Sequence, residues 1–436
     1  MRYFAKRGMR VSGTDSRANP PGLGELGGLA ETLDLRLGGF DLSLLDGASE
    51  VLLSPGVSPK EPIAALARER GIPVLGDIEL FARAVRAPVI GITGTNGKST
   101  VTTLVARMAA ADGLRVLAGG NLGDPALDLL DQPAPDLYVL ELSSFQLETT
   151  SSLELLAAVV LNVSADHMDR YASLDEYALA KRRIFAHAAT VVLNRDDPLV
   201  SAMRAAVLRD HAARGRTIRI VTFSTRDPSA DFALIERGSA RFLACRGEPL
   251  LDIADMQLTG LHNASNALAA LALGEAAALG RAAMLETLQA FPGLKHRSEW
   301  VADIDGVRYI DDSKGTNVGA TLAAVGGMAG PLVLIAGGDG KGQDFTQLKD
   351  AFSGKVRHVV LIGKDAAALE SALAGAVSSE RATTLEAAVS AAARAARAGD
   401  TVLLSPACAS LDMFRDYNHR GEVFAAAVHA LPKVTR

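Results

Sequence analysis

Residues Pro88 to Met108 read PVIGITGTNGKSTVTTLVARM, and three kinds of local structure follow one another in that stretch. Val89, Ile90 and Ile92 form a short apolar run of the kind that makes a strand buried in a parallel sheet. Thr93 to Gly97 is too rich in glycine and small polar residues to continue it, so the chain turns, and a helix follows from Ser99. Strand, glycine turn, Lys-Ser-Thr and helix in that order make a phosphate cradle. Gly94 and Gly97 let backbone N–H groups point inward, Lys98 reaches the β- and γ-phosphates, and the Ser99 hydroxyl is placed to hold Mg²⁺. Gly94, Thr95, Asn96, Gly97, Lys98, Ser99 and Thr100 are the candidate lining for a nucleoside triphosphate. Ile92 stands where the general P-loop pattern has its first glycine, which narrows the kinds of nucleotide-binding protein that fit.

Composition sets the bounds. The chain has 436 residues, 48% hydrophobic and 22% charged, with a net charge of −5. Several domains with sizeable cores are expected, and no long block of one sign points to nucleic acid or an anionic membrane. Cys245 and Cys408 are far apart, which argues against a disulfide framework or a cysteine-based zinc site. No apolar run reaches spanning length, and MRYFAKRGMRV lacks the apolar core of a signal peptide. These features predict a cytoplasmic enzyme.

Outward from the cradle, the pattern predicts an α/β protein of three domains. A central ATPase-type domain with a mostly parallel sheet, residues 77–293, is flanked by Rossmann-like domains over 1–76 and 294–436. In the first of these, MRVSGTDS, ASEVLLSPG and GIPVLGD read as strands, but Tyr3 to Arg7 reads as the tail of a helix. The first strand and its glycine turn are missing from the pattern, so the natural reading frame is expected to begin upstream of Met1. Asp15-Ser16-Arg17 and Ser54-Pro55-Gly56 follow strands, where this fold binds ligands.

In the central domain, Gly119-Gly120-Asn121 is a tight turn, and Glu141 closes the strand Tyr138 to Leu142, where a P-loop fold needs an acid for Mg²⁺. The strand AAVVLNV empties into SADHMDRY, which puts Asp166 and His167 on the rim of the phosphate loop. Ser173 and Glu176 form an S-x-x-E capping box at the start of a helix. Steps of three and four then place Leu174, Tyr177, Lys181, Ile184 and Ala188 on one stripe, with Arg182 and Arg183 turned away. An inward lysine loses its charge easily, and its free amine can take up CO₂ to give a carbamate, an oxygen ligand that Mg²⁺ accepts. The helix entry GLHNASNA carries His262, Asn263 and Asn266. Farther on, strand ends carry Asp312-Ser313-Lys314, Asp339-Gly340-Lys341, Ser405 and Ser410, a rim suited to a small dianionic acid.

TGTNGKST, LELSSFQLE, LNVSADHMDRY, AKRRIF, GLHNASNA, HRSE, IDDSKGTN, GGDGKGQDF and LLSPACASLDMF, in this order, resemble the Mur ligase family of peptidoglycan synthesis over nearly the whole chain. The resemblance implies an ATP-dependent, ADP-forming ligase that adds D-glutamate to UDP-N-acetylmuramoyl-L-alanine through an acyl phosphate. It implies a cytoplasmic monomer serving cell-wall precursor synthesis, and so cell shape and division, with no nucleic-acid or membrane partner.

Carried over residue by residue, the catalytic set is Lys98, His167, Lys181 and Arg297. ATP contacts add Asn263, Asn266, Arg297 and Asp312 to the loop residues. Ser16, Arg17, Gly56, Asn121 and His167 match the UDP-sugar site. Lys314, Thr316, Lys341, Ser410 and Tyr417 match the glutamate site, Tyr417 standing where phenylalanine is frequent. Two Mg²⁺ ions are implied, with Ser99, Glu141, His167 and carbamylated Lys181 as ligands. Other readings are a related acceptor, as in folylpolyglutamate synthesis, an L-glutamate-adding variant, or an inactive nucleotide-binding homologue.

Overall fold

The computed structural model describes residues 1–258, 260–328 and 330–432. Val89–Thr93 is buried at every position because it lies inside the largest sheet, between Leu137–Glu141 and Leu155–Val160. Beyond Leu137–Glu141 the sheet ends at Val116–Gly120; beyond Leu155–Val160 it continues through Ala188–Asn194, Arg219–Ser224 and Phe232–Arg237, all parallel. Ala240–Cys245 and Glu248–Asp252 then add an antiparallel edge, in a less regular stretch, about Asp231 to Asp255, that reads in sequence as strands or an excursion. Ile90 and Ile92 face the helices Lys98–Ala111 and Leu261–Ala276. Val89 faces the opposite layer, which includes Tyr177, Val200 and Met203 from the helices Leu174–Arg182 and Pro198–Ala213. Side chains of a strand alternate between faces, so one run of apolar residues serves both layers.

The helix that begins after Ser173 starts as its sequence indicates, with the Ser173 hydroxyl accepting from the Glu176 amide. The Glu176 carboxylate departs from the expected box: it takes the Ala172 amide and Lys60 instead of the Ser173 amide. A complete capping box occurs at Ser143 and Gln146. The apolar stripe is divided between elements, since the helix ends at Arg182, a 3₁₀ turn covers Arg183–Phe185, and Ala188 opens the next strand.

The C-terminal sheet runs Glu299–Ile304, Val307–Asp311, Thr401–Leu404, Leu332–Gly337, Val356–Ile362, Ser378–Arg381, and only its first pair is antiparallel. At the N-terminus the strands form two separate parallel ribbons, Ser12–Asp15 with Asp34–Leu37 and Val51–Leu52 with Val74–Leu75. The pattern of a doubly wound domain is thus present in pieces. Among the described residues no strand joins the two ribbons into one sheet.

One buried cation sets the geometry of the C-terminal loops. Arg420, on the helix Tyr417–His429, is fully buried and donates to the Ser313 hydroxyl at 3.0 Å, the Ser313 carbonyl at 2.7 Å and the Cys408 carbonyl at 3.1 Å. Burial lowers its pKa to about 10, so the guanidinium stays charged near neutrality. Arg420→Met removes three buried bonds while keeping much of the volume. Denaturant unfolding is expected to show the C-terminal domain destabilised by about 2–4 kcal/mol, the range for losing a buried polar network.

Candidate active site

The phosphate loop owes its shape to two glycines and one asparagine. Gly97 has φ +84°, and a Cβ there would lie 2.4 Å from Asn266 Oδ1, so neither backbone nor space admits another residue. Asn162, just past a neighbouring strand, accepts the Asn96 amide at 2.8 Å and donates to the Asn96 carbonyl at 3.1 Å. The loop is therefore held from outside. The helix Lys98–Ala111 starts directly behind it and points its N-terminal end into the loop.

Charged side chains from three directions meet there. The Lys98 ammonium donates to the carbonyls of Gly94 and Thr95, both at 2.9 Å. Lys181 donates to the same Gly94 carbonyl at 2.9 Å and lies 4.2 Å from the centre of the Tyr177 ring. From the C-terminal domain, Arg297 donates to the Ser99 hydroxyl at 2.6 Å, and Lys341 lies 3.7 Å from Asp166. Lys314 sits 3.9 Å over the ring of Tyr417. A cavity of about 280 Å³ is lined by Lys98, Glu141, His167, Lys181, Lys314 and Lys341, among others. A second, of about 310 Å³, adjoins it and is lined by Asn263, Asn266 and Asp312. Asn96, Gly97, Arg297 and Lys314 line both, so a molecule with an anionic end and an uncharged end can bridge them.

Burial dominates the electrostatics. It pushes the Lys181 amine well below the usual lysine range, with repulsion from Lys98 adding to the effect. Lys98 and Arg297 are lowered by burial as well. Lys314 falls to about 7, through burial and then the nearby Arg297 and Lys98. Asp312 rises to about 7 because it is buried, although the Ser405 hydroxyl, the Ser298 amide and Arg297 pull the other way. His167 drops to about 4, again by burial first, and is neutral at pH 7.

The donor set fits Mg²⁺ and a carbamate. Glu141 Oε1 accepts from Asn121 at 2.7 Å, while Oε2 is buried with no partner, a costly arrangement for a carboxylate unless a cation meets it. With the Ser99 hydroxyl, this is the hard oxygen chemistry that Mg²⁺ prefers. The Lys181 amine is buried and easily neutralised, the state that reacts with CO₂.

Not every residue singled out from the sequence reaches these cavities. Thr95, Asn121 and Thr316 line the first and Thr100 the second, but Ser16, Arg17 and Gly56 are exposed on the N-terminal loops, with Arg17 paired to Asp15. Ser410 is buried, its carbonyl accepting the Met413 and Phe414 amides, and it lines neither cavity. Tyr417 lines neither but lies beneath Lys314. Sequence reasoning passed over Asn162 and Asn317, whose side chains clamp Asn96 from the two domains. Both stand inside motifs that carry the family resemblance, LNVSADHMDRY and IDDSKGTN, but an asparagine at a strand end or before a helix ordinarily marks a cap, and nothing local shows that the two meet at Asn96.

Comparisons with known proteins identify the family. The Mur ligase middle-domain profile matches residues 92–274, the Mur ligase glutamate ligase domain 296–408, and the MurD-like N-terminal domain 1–76. The UDP-N-acetylmuramoylalanine–D-glutamate ligase of Nitrosococcus oceani is 52% identical over 99% of this chain and 93% of its own length. The ligase of the same name from Pseudomonas aeruginosa is 49% identical over 99% and 95%. Among solved structures, MurC from Thermotoga maritima has a TM-score of 0.60 at 18% identity, over 98% of this chain and 95% of that one, a likeness of fold alone.

The depressed Lys314 pKa carries a stability signature. Between about pH 7 and the ordinary lysine value near 10.5 the unfolded chain holds a proton that the folded chain has shed, so this group's contribution to stability rises with pH across that window. Lys314→Met is expected to melt at a higher temperature than the parent near pH 6.5, and the gap should narrow as pH rises towards 10. A pH series of thermal unfolding curves measures it.

Proposed function

The chain belongs to the Mur ligase family, and from that membership we propose that it uses ATP to join D-glutamate to UDP-N-acetylmuramoyl-L-alanine. The observation that carries this reading is the convergence of Lys98, Glu141 and Lys181 from the central domain with Arg297, Lys314 and Lys341 from the C-terminal one around a single cavity. We further assign residues 1–76 to the UDP-sugar, 77–293 to ATP and 294–436 to glutamate, in a cytoplasmic monomer. No helix among the described residues is long and apolar enough to cross a membrane.

The chemistry explains the need for so many cations. A carboxylate is a poor acylating agent, because its carbon is weakly electrophilic and oxide does not leave. An oxygen of the alanyl carboxylate attacks the γ-phosphorus, the bond to ADP breaks, and an acyl phosphate forms. Lys98 and Arg297 hold the phosphate oxygens in place and spread the charge that develops on them. Bound Mg²⁺, held by Ser99, Glu141, His167 and the carbamate of Lys181, would supply further neutralisation of that charge. Lys314 and Lys341 orient glutamate through its carboxylates, so that its amine meets the acyl carbon. A tetrahedral intermediate forms, the bond to phosphate breaks, and the amine proton is released. His167 is uncharged at pH 7 and free to act as a ligand or acceptor. Asn263, Asn266 and Asp312 face the nucleoside end.

ADP release should require both the UDP-sugar and D-glutamate. Equal release with L-glutamate, with a folate acceptor, or with no acceptor overturns the assignment. Lys181→Ala is expected to lose about 10²–10³ in turnover, the usual effect of removing a positioned charge-stabilising group. Partial rescue by a small carboxylate such as acetate would mark the missing group as an anionic oxygen ligand, and unchanged turnover would dispose of the carbamate.

A further inference from the structure

Asn317 occupies an unusual position. It is the last residue before the helix Val318–Gly327 of the C-terminal domain, it is buried, and its Oδ1 caps that helix by accepting the Ala320 amide at 2.8 Å. The same carboxamide crosses to the central domain. Its Nδ2 donates to Asn96 Oδ1 at 3.1 Å and to Asp166 Oδ2 at 3.3 Å, and the Asn96 Nδ2 donates back to Asn317 Oδ1 at 3.3 Å. Asn96 belongs to the phosphate loop, and its backbone is already held on the other side by Asn162. Asp166 in turn faces Lys341 and accepts the amide of His167.

A second observation places the contact under constraint. A Cβ on Gly319 would lie 2.8 Å from Ser164 Oγ, so the start of this helix approaches the rim of the central domain as closely as a residue without a side chain allows. One wall of the nucleoside-side cavity is this helix, through Gly319, Ala320, Ala323 and Ala324. The loop that holds phosphate and the helix that encloses the nucleoside are therefore joined through one side chain.

We propose that Asn317 is a positioning residue that couples the conformation of the phosphate loop to the seating of the C-terminal domain, so that nucleotide on the central domain draws the glutamate-binding domain into place. The proposal rests on the ligase reading for its kinetic consequence. Its structural consequence needs nucleotide binding alone. A carboxamide suits the task because it accepts and donates at once: the oxygen serves the helix start and the nitrogen serves the loop and Asp166. Aspartate is as good a helix cap as asparagine, but it has no donor and would set a second carboxylate against Asp166. The two roles of Asn317 therefore separate in one substitution.

The test compares the full-length parent with Asn317→Asp and Asn317→Ser. Serine is a control that keeps a capping oxygen and lacks the amide donor. Hydrogen exchange is followed over the helix Val318–Gly327 with and without a non-hydrolysable ATP analogue. The analogue is expected to protect this helix in the parent and in neither variant, while melting temperatures in the absence of nucleotide stay within about 3 °C of one another. Steady-state assays are expected to show kcat/KM for glutamate lowered about 10- to 100-fold in both variants, and the effect of Asn96→Ala should be largely absent when Asn317→Asp is already present. Equal protection in parent and variants, kcat/KM within two-fold of the parent, or multiplicative effects of the two substitutions would overturn the coupling. If the parent binds the analogue and shows protection but no glutamate-dependent ADP release, the ligase reading fails while the coupling stands.

Discussion

The carbonyl oxygen of Gly94 accepts hydrogen bonds from two lysines, the half-buried Lys98 and the buried Lys181, both at 2.9 Å. Two ammonium groups so close together and out of water repel each other and lack the solvation that would sustain both charges. Lys181 is the more deeply buried, against the Tyr177 ring, and its amine is pushed well below the usual lysine range. Lys98 keeps the loop compact by binding Gly94 and Thr95 together. Such a site is poised for negative charge: a triphosphate beside Lys98 and a carboxylate-like group on Lys181 would each relieve a cost that the folded protein carries.

That cost is met by rigid surroundings. Arg297 lies between His296, at φ +60°, and Ser298, at φ +50°, two non-glycine residues in the left-handed region. The first is held by Asp311 on its ring, at 2.7 Å, and by Glu299 on its amide; the second by Asp312, which accepts its amide at 3.0 Å. Strained backbone survives where neighbours over-determine it, and here the result is an arginine delivered across the domain boundary to Ser99. The His296–Asp311 pair is buried and raises the histidine pKa, chiefly through that hydrogen bond. His296, Glu299 and Asp311 are close enough to resemble a metal cluster, but the imidazole is already engaged by Asp311 and the Glu299 carboxylate by the His296 amide, so the grouping acts as a clamp.

The parts of this architecture that depend on local order are readable along the chain. A buried strand, a turn that only glycine can make, and a lysine at the following helix start are consecutive, so residues 88–108 announce the phosphate loop without reference to anything distant. The inward direction of Lys181 follows from steps of three and four along its helix. The ordered series of motifs is likewise a property of the linear sequence, and with it the family. The stretch after Asp231 is less legible, because its strands Ala240–Cys245 and Glu248–Asp252 lie at the sheet edge, run against the parallel direction and include a register shift between Leu243 and Ala244.

What the chain order alone determined, then, is the kind of cradle, the α/β class and the inventory of acids and amines near it. Only the folded structure decided which of them meet. Arg297 and Ser99 are 198 residues apart, and Asn317 and Asn96 are 221 apart; neither spacing carries any periodicity that marks a contact. The shifted acidities belong to the same category, because desolvation is a property of everything packed around a group. Lys314 and Asp312 look like ordinary loop residues in sequence and are brought near pH 7 in the assembled site, by burial first and then by neighbouring charges of like sign.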